Sequence, residues 1–249
     1  MLQRPLLFPP SVICFHMFPG FDILYDDDSC LVVSKPGGLL TQAPLGIDSL
    51  EFRIKRLLRE RSPAVEEIYL GVPHRLDRPV SGVIVFAKTR KAARRISEQF
   101  EGRRVQKKYW ALVPGSIEPD QGTWTDYLKK TDGDPRTAVV TDRDSAGQIA
   151  ILHYQVRQRL EDATLLEIEL ETGRTHQIRV QCASRGHALL GDELYGSRVP
   201  FGPPSDDQRL RLIALHARSL SFQHPSTREP IHCIAPLPDY WPTDGGPAV

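Results

Sequence analysis

His74-Arg75-Leu76-Asp77-Arg78-Pro79-Val80-Ser81-Gly82-Val83-Ile84-Val85-Phe86-Ala87-Lys88 is the stretch that decides how this chain is read. Its first half is polar and turn-forming, with one carboxylate between two arginines. Its second half, Gly82–Ala87, is a continuous apolar, β-branched run that reads as a buried strand. An Asp on a turn that feeds a rigid strand is a candidate nucleophile or base. Flanking cations favour a charged carboxylate, which suits attack better than proton donation. The competing reading is a turn Asp held in a structural ion pair, the commoner fate when only local sequence is considered.

Outward from this strand, Thr89 is placed to cap a helix over Arg90–Phe100, with Ala93, Ile96 and Phe100 on one face and Gly102 as its stop. Lys108–Val113 follows as a strand. On the other side, Asp48–Arg61 has Leu50, Ile54, Leu57 and Leu58 at helical spacing, capped by Asp48 or Ser49. Ile23–Tyr25 and Cys30–Ser34 read as short strands around an acidic turn, and Lys35-Pro36-Gly37-Gly38 as a loop. Pro114–Gln148 reads as hairpins and loops. Ile149–Val156 and Thr164–Glu171 read as strands, the second with Glu167, Glu169 and Glu171 on a wet face. A helix is expected over Arg174–Ser184. Short strands at Leu212–His216, Ser219–Phe222 and Ile231–Ala235 finish the pattern. Strands and helices mix without a βαβ repeat, so the expected fold is α+β, with a mixed, mainly antiparallel central sheet flanked by helices and loops around a central cleft. One domain is expected over 21–241, with tails at 1–20 and 242–249.

The net charge of +1 over 249 residues announces no nucleic-acid binder, but the charge is uneven. Between Lys88 and Lys108 lie Lys88, Arg90, Lys91, Arg94, Arg95, Arg103, Arg104, Lys107 and Lys108, opposed only by Glu98 and Glu101. Such a run is either a solvated helix face or a phosphate-tracking surface. Cys14, Cys30, Cys182 and Cys233 are scattered, with no CxxC pair and no zinc-ligand spacing to a His. That favours a reducing compartment, the cytoplasm, and no structural metal. No apolar run approaches the ~20 residues of a membrane helix. Pro9, Pro10 and Pro19 interrupt the apolar N-terminus, which argues against a signal peptide.

A second motif stands about a hundred residues on: Leu170-Glu171-Thr172-Gly173-Arg174-Thr175-His176-Gln177-Ile178-Arg179-Val180. Together, His74–Asp77 with Ser81-Gly82, Lys107-Lys108-Tyr109-Trp110-Ala111-Leu112-Val113 and this motif resemble the RluA-type pseudouridine synthases, which isomerise uridine in RNA. Lys35-Pro36-Gly37-Gly38-Leu39, Leu190–Gly196, Leu215-His216-Ala217 and Phe222–Pro225 extend the resemblance over about Phe21 to Trp241. Val80 stands where that family usually has Thr, and Gln181 where it usually has His.

The resemblance implies that Asp77 is the nucleophile, that Arg75 displaces the target base, that Tyr109 lies against the flipped base, and that Arg179 pairs with Asp77. It implies RNA contacts at Arg75, Arg78, Lys107, Lys108, Arg174 and His176. The basic helix bearing Arg90, Lys91, Arg94 and Arg95 would then bind phosphates. It implies a ribosomal or transfer RNA partner, no cofactor, no metal and no membrane, and a monomer is expected. The reaction breaks N1–C1′ and rejoins through C5, so the base must leave the stack, turn and be recaptured. Attack at C1′, attack at C6 and abstraction of the C2′ proton all remain open for the carboxylate. An RNA-binding module that has lost catalysis would have a broken Asp or Arg motif position, and both stand. A hydrolase using Ser81 or Ser184 with a His lacks a GxSxG elbow.

Overall fold

The structure, a computed structural model, describes residues 20–64 and 67–242. The expected tails and Cys14 lie outside the described residues, apart from the tails' innermost positions. The fold is built on one ten-stranded sheet. In chain order its strands are β1 (Asp22–Asp26), β2 (Cys30–Lys35), β3 (Ser81–Ala87), β4 (Gln106–Pro114), β5 (Gln121–Lys130), β6 (Thr137–Val140), β7 (Gln148–Arg159), β8 (Ala163–Leu170), β9 (Leu215–Gln223) and β10 (Pro230–Ile234). Their spatial order is β1-β2-β3-β9-β4-β8-β7-β5-β6, with β10 also on β9. Every pairing is antiparallel except β3 with β9. The α+β expectation, with a mixed and mainly antiparallel sheet, holds.

All seven residues of β3 are buried, which is why this strand carries no polar alternation. Each large apolar side chain here, such as Ile84 or Phe86, contributes about 1.5–3 kcal/mol of transfer free energy. The parallel contact is close. A Cβ on Gly82, which sits at φ +114°, would meet the Ala217 carbonyl oxygen at 2.3 Å, so only glycine fits where β3 meets β9.

Among the described residues, three α-helices flank the sheet. α1 (Leu50–Arg61) buries Leu50, Ile54 and Leu57, and Ser49 caps it by accepting from the Phe52 N–H. α2 (Arg90–Glu101) buries Ala92, Ile96 and Gln99, and Thr89 caps it through the Ala92 N–H. The turn after α2 takes its left-handed residue at Arg103 (φ 53°), while Gly102 keeps φ −76°.

Two expected elements change. The helix foreseen over Arg174–Ser184 is α3 (Gln177–Ala183). His176 adopts a left-handed conformation (φ 55°), and the Gln177 side chain accepts from the Arg174 N–H, so the Arg174–His176 stretch is a tight loop rather than a first turn. Thr175 therefore shares no helical face with Ile178 and Arg179. The two strands expected at Leu212–His216 and Ser219–Phe222 are one strand, β9, which carries an irregular register against β4 between Lys108 and Tyr109.

Candidate active site

The segment 74–80 enters β3 pinned at nearly every residue. The His74 Nε2 accepts the Val85 N–H at 3.1 Å, and its ring stacks on Phe100 at 4.5 Å. Burial, and next the charge of Lys107, push its pKa down to about 3, so it is a neutral strut. The Thr41 hydroxyl donates to the Leu76 carbonyl and accepts the Leu76 N–H, at 2.8 and 3.1 Å. The Arg78 carbonyl accepts from the Gly38 N–H at 2.8 Å and from the Lys35 Nζ at 3.2 Å. Lys35 is 1% exposed, and its Nζ also donates to the carbonyls of Pro36 and Leu39. Burial draws its pKa down to about 7, opposed by Asp77. Three carbonyls match the three N–H groups of an ammonium, so the geometry speaks for the charged form at neutral pH.

Asp77 is thus held on a loop whose backbone has little freedom. Its side chain is 36% exposed, whereas those of Arg179 and Asp192 are 6% and 1% exposed. Arg179 divides its donors. Its Nε and one terminal nitrogen bind the two oxygens of Asp192 at 2.7 and 2.8 Å, and the other terminal nitrogen reaches Asp77 at 3.3 Å. Burial disfavours the guanidinium charge, but Asp192 and Asp77 outweigh it and raise its pKa. The Asp192 fork fixes the guanidinium plane and leaves one edge for Asp77.

His176 flanks the same carboxylate, with Nε2 3.5 Å from Asp77, and its Nδ1 lies 3.0 Å from the Tyr195 hydroxyl. That hydroxyl accepts the Thr137 N–H at 2.9 Å. Burial lowers the His176 pKa, with Arg179 adding to the fall and Asp77 opposing it.

These groups open into a cleft of about 940 Å³. Arg75, Asp77, Arg78, Lys107, Tyr109, Arg174, His176 and Arg179 all line it. Along β4, Lys107 and Tyr109 face the cleft, while the alternate residue Lys108 pairs with Glu167 at 2.8 Å and does not line it. Burial, and then Asp77, push the Tyr109 phenol well above its ordinary value, so it stays protonated near neutral pH.

Arg90, Lys91, Arg94 and Arg95 do not line the cleft. The face of α2 that buries Ala92, Ile96 and Gln99 turns them away from it. The Arg90 guanidinium sits 5.0 Å over the Tyr69 ring, Arg94 pairs with Glu98 at 3.7 Å, and Arg95 donates to the Pro225 carbonyl at 2.6 Å. Only the C-terminal end of α2, at Phe100 and Glu101, reaches the cleft. Three residues to which the sequence analysis gave no role belong to the site or its support, Lys130, Asp192 and Tyr195, while Arg103, read there only as part of the basic run, also lines the cleft. Asp192 and Tyr195 stand inside the Leu190–Gly196 motif, which was the one signal pointing to them.

Two other constellations bring reactive side chains together. The Ser81 hydroxyl lies 2.9 Å from the His216 Nδ1, the geometry of a nucleophile and base. Both residues are buried, neither lines the cleft, and burial draws the His216 pKa down to about 4. Asp27, Cys30 and His224 bring potential metal-ligand atoms within 4.8 Å of one another. The His224 Nδ1 accepts the N–H groups of Ser226 and Thr227, which puts the ring proton on Nε2, donated to Asp27 at 2.7 Å. A metal on Nε2 would require that proton on Nδ1, against two N–H groups. Burial, then Asp27, raise the Cys30 thiol to about 12. The cluster is a clamp between the β1–β2 and β9–β10 turns, and its donor set does not suit a metal.

A carboxylate held by a buried, doubly anchored arginine thus lines a cleft rich in cations on a mainly antiparallel sheet. The sequence matches the RNA pseudouridylate synthase family over residues 29–184, and the chain belongs to that family. It is 35% identical over 225 residues to the ribosomal large subunit pseudouridine synthase D of Xylella fastidiosa, covering 88% of this chain and 66% of that protein. It is 34% identical over 245 residues to an uncharacterized RNA pseudouridine synthase of Synechocystis sp., covering 97% of this chain and 72% of that one. The chain thus spans about two thirds of the length of the curated relatives it matches. Among solved structures it resembles human RNA pseudouridylate synthase domain containing 4, with a TM-score of 0.71, 26% identity, and coverage of 88% of this chain and 89% of that one. Among the described residues, no helix is long and apolar enough to cross a membrane.

Proposed function

We propose that this chain is an RNA pseudouridine synthase that isomerises uridines of ribosomal RNA in the cytoplasm, with Asp77 as its nucleophile. The observation that carries this reading is the Asp192–Arg179–Asp77 chain, which presents one carboxylate edge to a cleft rimmed by cations. Relatives of the same family that are named for large-subunit ribosomal RNA favour that RNA over transfer RNA. A flipped uridine would stack on Tyr109, with Arg75 at the mouth filling its place in the RNA. Asp77 forms a bond to the sugar or the base, or takes the C2′ proton, and so frees the N1–C1′ bond. The base turns within the cleft and C5 joins C1′ as Asp77 gives up its bond, or returns the C2′ proton; C5 then loses its proton and N1 takes one up, so the product is an isomer of the substrate. Arg179 holds the Asp77 carboxylate oriented through the sequence.

The test is pseudouridine mapping in ribosomal RNA from cells that lack this gene, complemented with wild type or with Asp77→Asn. Wild type restores specific pseudouridines and Asp77→Asn does not. In vitro the variant should fall by at least ~10⁴, since losing a covalent participant costs several kcal/mol of barrier. Turnover by Asp77→Asn within about tenfold of wild type would remove Asp77 as the nucleophile.

A further inference from the structure

The cations of the cleft are not equivalent. Arg179 is committed to two carboxylates, and Arg174 donates to the Ile149 carbonyl. Arg75, Arg78, Arg103, Lys107 and Lys130 line the cleft without a hydrogen-bond or ion-pair partner for their side chains among the described residues, and of these it is Lys107 and Arg103 whose charges act on each other. They are also neighbours. Burial, and next the charge of Arg103, lower the Lys107 pKa. Two like charges side by side, one of them half-buried, cost free energy in the empty protein. That cost is recovered when an anion sits between them.

Local structure holds the pair in place. Arg103 occupies the left-handed turn (φ 53°) that joins α2 to β4, which throws its side chain toward the cleft while Arg104 turns back to the Glu98 carbonyl at 3.3 Å. Lys107 projects from the start of β4 on the same face as Tyr109. Its Nζ reaches across to the loop before α3, where a Cβ on Gly173 would lie 3.6 Å away. The bare Gly173 backbone leaves room beside the ammonium.

We propose that Lys107 and Arg103 form the seat for one backbone phosphate of the RNA, adjacent to the nucleotide that stacks on Tyr109. This rests on the RNA-modifying reading of the cleft. Lys107 and Tyr109 are two residues apart on β4, about 7 Å along the strand, which is the scale of one nucleotide. Arg103 supplies a planar fork and Lys107 a point charge, a combination suited to a tetrahedral oxyanion. The seat grips the strand through its charge and reads no base.

The experiment uses the full chain and the RNA stem-loop that the wild type modifies, with single phosphates around the target uridine replaced one at a time by neutral methylphosphonate. In wild type, one flanking substitution should raise KM by about tenfold or more. In the Lys107→Gln, Arg103→Gln double variant that same substitution should change KM less than about twofold, because the seat is already lost. The salt slope of binding should fall by roughly 0.7 per contact. Lys107→Arg keeps the charge and should keep the wild-type response, and so should Arg104→Gln, whose side chain points elsewhere. A double variant that still suffers the full penalty at that phosphate, or a wild type indifferent to every flanking phosphate, would overturn the seat. If the wild type modifies no stem-loop of large-subunit ribosomal RNA, the same substitutions are read by binding to one of them; a phosphate sensed by the wild type and not by the double variant would then overturn the catalytic reading and leave the seat standing.

Discussion

Asp192→Asn isolates what holds the Asp77 carboxylate in place. The change keeps shape and removes one charge. In the wild type, Arg179 and Asp192 are 6% and 1% exposed and share two bonds of 2.7 and 2.8 Å. An Asn there offers one acceptor, and its amide nitrogen must face a guanidinium N–H, so one bond becomes a donor–donor contact. Removing one partner of a buried pair costs roughly 3–5 kcal/mol, and the retained acceptor places this change near 3. For a chain of this size that lowers the melting temperature by about 6–12 °C. The guanidinium also loses the fork that aims its remaining edge at Asp77, so the single-turnover rate should fall ~10²-fold, or about 2.7 kcal/mol of barrier. Thermal unfolding and single-turnover pseudouridine formation read the two effects. An Asp192→Asn, Arg179→Met double variant should recover stability, because an apolar side chain then replaces the buried charge, but it should stay inactive. Asp192→Asn melting within about 2 °C of wild type and turning over within about threefold would refute the argument that Asp192 orients Arg179.

The Tyr109 phenol is held protonated by burial and Asp77, so it makes a poor proton acceptor. Tyr109→Phe should retain most activity while Tyr109→Ala loses it, and equal slow rates for both would reinstate the hydroxyl as an acid–base group. Burial holds His74 and His216 neutral, with pKa values drawn from 6.5 down to about 3 and about 4. The unfolded chain therefore binds protons that the folded one refuses. Stability is full above pH 6.5 and falls as pH drops toward 4, by about 1.4 kcal/mol per pH unit for each histidine. His74→Gln and His216→Gln should each flatten the dependence of melting temperature on pH in that window, and an unchanged slope in both would contradict it. Arg90, Lys91 and Arg94 lie outside the cleft, on the solvent side of α2. If RNA leaves the cleft along α2, neutralising the three should lower the salt slope of binding by roughly 0.7 per lost contact, whereas an unaltered slope would mean that face is only solvated.

What could be read in the sequence followed from how local each cause is. β3 was legible because a strand buried on both sides carries an unbroken apolar run, and Thr89 was legible as a cap because capping is decided within three residues. Asp77 stood out through the turn that delivers it. α3 was misjudged because its start depends on a left-handed residue, His176, whose ring is tied to Tyr195 from a different part of the chain. The basic run after β3 was ambiguous in a different way. Charge spacing says that a face is polar, but whether that face looks at the cleft depends on how Ala92 and Ile96 dock on the sheet. They dock so that only the far end of the helix and the turn after it, at Arg103, reach the site.

Asp192 shows the limit most clearly. In sequence it is one acidic residue after a glycine, thirteen positions beyond Arg179, with the profile of a turn. Its role exists only because the chain returns to the base of α3 and buries a carboxylate against a guanidinium. A charge that must be fully neutralised in the interior is set by tertiary packing, and single-residue patterns carry no record of it. Asp77 was therefore readable as a candidate and its support was not. Asp77 opens to the cleft and advertises itself through turn chemistry, whereas Asp192, which holds Arg179, is hidden both in the fold and in the pattern.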